Sequence, residues 1–156
     1  MRKNKNLRRT IYVICNNIRS RHNVGAIFRN ADAFGISKIY LCGITPQPDH
    51  ARVEKVSLGA EKTVPWEYAK RAADIVKKLK KDGVQIVALE KNRTSHPIKS
   101  AKFKSRVAII LGNEVDGVRG ALLKQADIVV HIPMLGIKES LNVSVAAGIA
   151  MYAMRS

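Results

Sequence analysis

The chain has 156 residues, of which 46% are hydrophobic and 26% charged, as in ordinary globular proteins and unlike disordered, collagen-like or coiled-coil chains. Two cysteines are too few for a disulfide framework or a zinc site, and no apolar run reaches the ~20 residues of a membrane span. We therefore predict one cytoplasmic domain over residues 1–156, with a short basic tail at about 1–9, no membrane segment and no metal.

Charge is concentrated in two parts of the chain. Lysine and arginine number 28 against 12 acidic residues, a net charge of +16. Residues 1–29 contain eight basic and no acidic side chains, and residues 91–106 contain six and none. Such basic segments usually face a polyanion, most often a nucleic acid, although a basic tail with a solubilising loop would give the same composition.

The predicted elements alternate between strands and helices along the chain. Strands are predicted at 10–16, 38–42, 84–89, 106–111 and 127–132, and helices at 22–34, 65–81, 118–126 and 141–154. Several strands are continuous apolar runs, as a parallel sheet covered on both faces requires. The pattern predicts an α/β fold with an open, mostly parallel sheet flanked by helices, and a ligand site beyond the carboxyl ends of its strands.

The helix predicted at 22–34 carries Asn23 and Arg29. A separation of six residues is close to two turns, so we expect the two side chains to share a face. An ion pair between Arg29 and Asp32 is the simpler structural explanation of the arginine.

The segment LGNEVDGVRG follows the strand at 106–111. It is not a phosphate-binding P-loop, because Val118 and Arg119 stand where lysine and serine or threonine are needed, and the chain contains no GxGxxG sequence. A glycine-rich turn in which Asn113 and Asp116 bond their own backbone is the structural alternative.

The segment IPMLGIKESLNVSVAAGIAMY at 132–152 places a polar loop before the most hydrophobic helix. Ser140 or Asn142 can cap that helix, which must be buried all round or pressed against a partner subunit. Core burial and capping explain these features separately. A cofactor seated on the loop would explain why they occur together.

Together, NVGAIFRNADAFG (23–35), LGNEVDGV (111–118) and residues 132–152 resemble the three motifs of the SpoU, or TrmH-like, branch of the SPOUT RNA methyltransferases, in matching order and spacing. The resemblance implies a C-terminal trefoil knot, S-adenosylmethionine as cofactor, methylation of a ribose 2′-hydroxyl in tRNA or rRNA, and a homodimer. Asn30 departs from the threonine that is frequent after the motif arginine.

Two sets of site residues follow from the resemblance, and a third follows from the basic segments. The implied catalytic residues are Arg29, Asn23, Glu114, Ser140 and Asn142. The implied cofactor pocket consists of Leu89, Glu90, Leu111, Gly112, Asn113, Ile132, Met134 and Leu141. RNA would bind the basic segments through Lys3, Lys5, Arg8, Arg9, Arg19, Arg21, Lys91 and Arg93.

Two alternatives remain open from the sequence. A non-catalytic RNA-binding or ribosome-associated protein would carry the same charge, although an aromatic content of 5% argues against recognition by base stacking. A related knotted enzyme could methylate a base. The four histidines are predicted to be structural or solvated, and Cys15 and Cys42 to be core residues.

Overall fold

A computed structural model of the chain describes residues 9–48 and 51–156. The predicted RNA contacts Lys3, Lys5 and Arg8 lie outside the described residues. None of the helices within the described ranges is long and apolar enough to cross a membrane.

The described residues form a seven-stranded parallel sheet flanked by helices, which confirms the predicted α/β class. The strand order is β3-β2-β1-β6-β4-β7-β5. The strands are Thr10–Asn16 (β1), Lys38–Cys42 (β2), Trp66–Ala69 (β3), Gln85–Leu89 (β4), His96–Pro97 (β5), Arg106–Leu111 (β6) and Ile128–His131 (β7). The helices are Arg21–Ala33 (α1), Ala51–Ser57 (α2), Ala72–Lys81 (α3), Gly120–Lys124 (α4) and Val143–Arg155 (α5). The trefoil knot stays a prediction, because strand order does not define how the chain is threaded.

The prediction of a helix at 65–81 is wrong for the residues before Ala72, where α3 begins. Residues Trp66–Ala69 form an edge strand that pairs in parallel with β2, with Trp66 opposite Ile39. Aromatic side chains favour strands, and this pairing outweighs the helical spacing of the apolar positions. Helix α2 and the two-residue strand β5 were also missed, and α2 lies within a segment predicted to be a loop.

Alternate residues of the central strand β1 face two separate halves of the core. Ile11 and Val13 pack on the side covered by α1, α2 and α5, whereas Ile14 packs on the side covered by α3. Cys15 and Cys42 are buried free thiols, as predicted. Burial raises the pKa of Cys15 and raises that of Cys42 to about 12, so both thiols are protonated core residues at neutral pH.

Candidate functional site

A cavity of about 310 Å³ lies where three neighbouring strands, β6, β4 and β7, reach their carboxyl ends. Parallel strands all end at one edge of the sheet, so the loops that follow them converge there. All eight positions that the resemblance implied for the cofactor line this cavity: Leu89, Glu90, Leu111, Gly112, Asn113, Ile132, Met134 and Leu141.

The loop after β6 folds back on itself around Asn113. The side-chain oxygen of Asn113 accepts hydrogen bonds from the backbone N–H groups of Val115 (2.8 Å) and Asp116 (3.1 Å). Its amide nitrogen donates to the carbonyl of Asn17 at 2.8 Å, just beyond β1. The predicted turn is therefore present at Asn113, and it also ties one wall of the cavity to the central strand. The Asp116 side chain instead forms an ion pair with Arg119 at 3.4 Å.

Glu90 and two glycines hold the same loop against the end of β4. One carboxylate oxygen of Glu90 accepts from the backbone N–H of Val118 at 2.9 Å and the other from Lys91 at 3.0 Å. Gly117 has φ +65°, and a Cβ there would lie 2.0 Å from Glu90 Oε2. A Cβ on Gly112 would lie 2.1 Å from the carbonyl carbon of Gly117. Only glycine permits both approaches.

A chain of side-chain hydrogen bonds joins all three motifs beside the cavity. Asn23, only 5% exposed, donates from its amide nitrogen to Glu114 Oε1 at 3.1 Å. Its amide oxygen accepts from Asn142 Nδ2, also at 3.1 Å. Asn142 is the N-cap of α5, and its side-chain oxygen accepts from the backbone N–H of Ser144 at 2.9 Å. Asn142 is therefore the capping residue, of the two that the sequence left open.

The carboxylate of Glu114 is held ionised by the turn that precedes α1. Burial raises its pKa, but the backbone N–H groups of Arg19 and Ser20 and the amide of Asn23 outweigh burial and leave the pKa below its ordinary value. The distances from these backbone nitrogens to Glu114 are 3.0 to 3.1 Å. Glu114 is therefore an anchor for the turn and a poor proton acceptor.

Arg29 lies apart from this network. It is exposed, does not line the cavity, and makes no hydrogen bond or ion pair with a described residue. The expectation that Arg29 and Asn23 share a face is wrong, because six residues at 3.6 per turn leave the two side chains about 120° apart. The alternative ion pair is absent too, since Asp32 accepts a hydrogen bond from Thr63 at 2.8 Å.

The remaining predicted residues differ in their surroundings. Ser140 is exposed and lines the cavity. The side chains of Arg19, Arg21, Lys91 and Arg93 are also exposed. Arg9 instead donates to the backbone carbonyls of Lys104 (3.1 Å), Phe103 (3.2 Å) and Met154. Its guanidinium is occupied within the chain, which distinguishes it from the side chains of Arg19, Arg21, Lys91 and Arg93.

Sequence reasoning missed that the cavity is acidic. Four carboxylates line it, those of Glu90, Glu114, Asp116 and Glu139, against the single lysine Lys91. Glu139 and Asp116 stand inside the motifs, so their position after a strand could have identified them. His131, predicted to be structural or solvated, also lines the cavity.

The acidic side chains of the cavity do not converge on a metal site. Within the described ranges, no group of three or more histidine, cysteine or acidic side chains could hold a metal ion. His131 Nδ1 instead shares a hydrogen bond with the hydroxyl of Ser95 at 2.8 Å.

Known proteins resemble both the sequence and the fold. The profile of the SpoU rRNA Methylase family matches residues 10–152. The chain is 37% identical over 142 residues to the 23S rRNA (guanosine-2′-O-)-methyltransferase RlmB of Vibrio vulnificus, an alignment that covers 91% of this chain and 57% of that protein. The chain thus spans little more than half the length of the curated relatives that it matches.

Two solved structures give the same result. The AdoMet-bound rRNA methyltransferase from Sinorhizobium meliloti is 29% identical, with a TM-score of 0.88, over 94% of this chain and 56% of that one. The TrmH/SpoU tRNA modifying enzyme of A. aeolicus is 30% identical, with a TM-score of 0.84, over 96% of this chain and 77% of that one.

Proposed function

The chain belongs to the SpoU rRNA methylase family, and from that premise we propose that it transfers a methyl group from S-adenosylmethionine to a ribose 2′-hydroxyl of RNA. Ribosomal RNA is the first substrate to test, because the curated relatives act on 23S rRNA by name. The observation that carries the proposal is the hydrogen-bonded series Glu114–Asn23–Asn142, which joins three distant motifs beside one cavity. A cytoplasmic location stays a prediction.

The residues around the cavity suit S-adenosylmethionine in both apolar character and charge. Leu89, Leu111 and Ile132 supply apolar walls suited to an adenine ring. The four carboxylates suit a ligand that carries a sulfonium cation and an ammonium group, and they give a negative potential within a chain of net charge +16. When bound, the cofactor supplies an activated methyl group on a neutral leaving group.

The protein's own contribution is then mainly to position the RNA. Aligning a nucleophile with its target accounts for much of the acceleration of a reaction between two bound molecules. We assign to Ser140 and Asn142, at the cavity wall, the role of orienting the ribose. Arg29 is exposed with free donors, and a guanidinium has five N–H donors and no acceptor, so we assign it the binding of a phosphate and not the removal of the hydroxyl proton.

A second copy of the chain would complete the site. Helix α5 exposes Val145, Ile149 and Tyr152, and its groove against α1 includes Phe34. Exposed apolar strips of this kind mark protein interfaces. Arg29 lies on α1 beside Asn30, which lines that groove, so dimerisation through this face would bring the arginine to the interface. A homodimer is the assembly that the family resemblance implies.

The test is methylation of defined RNA. The protein is incubated with isotope-labelled S-adenosylmethionine and 23S rRNA, 16S rRNA or bulk tRNA, and the modified nucleotide is mapped by mass spectrometry. We expect calorimetric binding of the cofactor and a single 2′-O-methylated nucleotide. RNA binding without cofactor binding would instead support the non-catalytic alternative, and a methylated base would support the base-modifying one.

Two substitutions of Arg29 test its assigned role. Arg29→Ala is expected to lower methylation by at least about a hundredfold while cofactor affinity is retained. Arg29→Lys keeps the charge but loses the planar pair of donors, so we expect it to restore only a small part of the rate. Restoration of most of the rate by lysine would contradict a two-donor phosphate contact.

A further inference from the structure

A second cavity, of about 640 Å³, lies where the turn before α1 meets helix α2. Five basic or titratable side chains line it: Arg19, Arg21, His22, Arg52 and Lys55. Sequence analysis identified Arg19 and Arg21 around the start of α1 but missed α2, and so missed that residues more than thirty positions apart form one basic pocket.

The pocket has the charge of an anion site. Among the residues that the structure describes, no carboxylate lines the pocket, and Arg19, Arg21 and Lys55 are exposed and form no ion pair. Exposed cations such as these three repel one another and attract polyanions. The first cavity, with its four carboxylates, suits a cation, whereas this pocket suits an anion.

Close packing of α1 on α2 builds this pocket. A Cβ on Gly25 of α1 would lie 2.7 Å from both the carbonyl oxygen of Val53 and the Cβ of Val56 on α2. Glycine inside a helix is less stable than alanine, so its place here is explained by the approach of the second helix. That approach holds Arg52 and Lys55 beside Arg21.

The pocket is also joined to the first cavity by the backbone. Arg19 and Ser20 line the pocket and donate their N–H groups to Glu114, which lines the first cavity. An anion held in the basic pocket is therefore placed at a defined distance from the series Glu114–Asn23–Asn142.

We propose that this basic pocket binds backbone phosphates of the RNA substrate and so determines which ribose reaches the first cavity. The inference rests on the proposed function for the identity of the polyanion. Phosphate contacts fix the register of a strand without reading its sequence, which matches a pocket formed by flexible cationic side chains.

The experiment compares charge removal in the pocket with charge removal elsewhere. Arg21→Gln/Lys55→Gln is measured beside Lys77→Gln/Lys81→Gln, which removes two exposed lysines from α3 on the opposite face of the sheet. Binding of a 23S rRNA transcript is followed by filter binding over a salt series. We expect the pocket variant to raise the Kd about tenfold and to reduce the slope of log K against log salt by about two, and the control to do neither.

Two further measurements keep the outcomes apart. Arg21→Lys/Lys55→Arg retains both charges and is expected to bind RNA within about twofold of the wild type. Calorimetry with S-adenosylmethionine is expected to give the same Kd for every variant. If the wild type methylates RNA and the pocket variant matches its RNA affinity and salt slope, the proposal for the pocket is overturned and the proposed function is not. A wild type that binds no cofactor would overturn the proposed function, whatever the pocket variant does.

Discussion

Asn142 donates a hydrogen bond to Asn23 at 3.1 Å, although 119 residues separate them in the chain. Each amide in the series donates on one side and accepts on the other, so the orientation of both side chains is defined and the series ends on the carboxylate of Glu114. The start of α5, the start of α1 and the loop after β6 are thereby held in one arrangement beside the cavity.

Replacing Asn23 by aspartate should disrupt that arrangement. Asn23→Asp cannot donate to Glu114 and places a second negative charge beside it, so we expect a loss of about 2 kcal/mol, a fall in Tm of about 4–8 °C and reduced methylation. Thermal unfolding followed by circular dichroism measures the change. Gln47→Glu is the matched control, because Gln47 makes no hydrogen bond with a described residue and should leave Tm nearly unchanged. Equal Tm in the two variants would refute the role of the series.

Glu114 should make stability depend on pH in the acid range. Its pKa in the folded chain lies below the ordinary 4.5, so its contribution is fully present above pH 4.5 and is lost as the pH falls through the lowered folded value. We expect Glu114→Gln to unfold at a lower temperature than the wild type at pH 7, and the difference to narrow as the pH falls below 4.5. Glu139→Gln, at an exposed carboxylate in the same cavity, should follow the wild type throughout. A gap that stays constant with pH would contradict this account.

Alanine substitutions at two glycines, Gly117 and Gly120, distinguish the effect of backbone strain from the effect of displacing Glu90. Gly117 and Gly120 have φ of +65° and +62°, but a Cβ meets Glu90 only at Gly117 and meets nothing within 4 Å at Gly120. Alanine at either position costs about 1 kcal/mol of backbone strain. We expect Gly117→Ala in addition to displace Glu90 and to weaken S-adenosylmethionine binding at least tenfold, measured by calorimetry. Equal cofactor affinity in the two variants would show that Glu90 does not position the loop.

The exposed strip on α5 predicts the oligomeric state. Tyr152 is 65% exposed on the strip and Leu58 is 68% exposed after α2, so aspartate at either position replaces an apolar side chain of similar fractional exposure. We expect Tyr152→Asp to convert a dimer into a monomer and to reduce methylation, while Leu58→Asp remains dimeric. Sedimentation velocity distinguishes these results. A wild type that sediments as a monomer at micromolar concentration would rule out this interface.

Local patterns in the sequence were sufficient for features that depend on near neighbours. The apolar run at 107–111 indicated a parallel sheet buried on both faces. The motif loops were correctly placed at the carboxyl edge of that sheet, and Asn142 was one of two predicted caps. These features depend on burial, periodicity and hydrogen bonding within a few residues, which composition and spacing record directly.

Only the tertiary structure decided which distant groups meet. Trp66–Ala69 became a strand because an edge of the sheet was available to it, and Gly25 lies inside a helix because α2 crosses there. The basic pocket and the link between Asn23 and Asn142 likewise join residues from separate elements. Pairings of this kind depend on the order of strands and the packing of helices, so they leave no periodic trace in the chain.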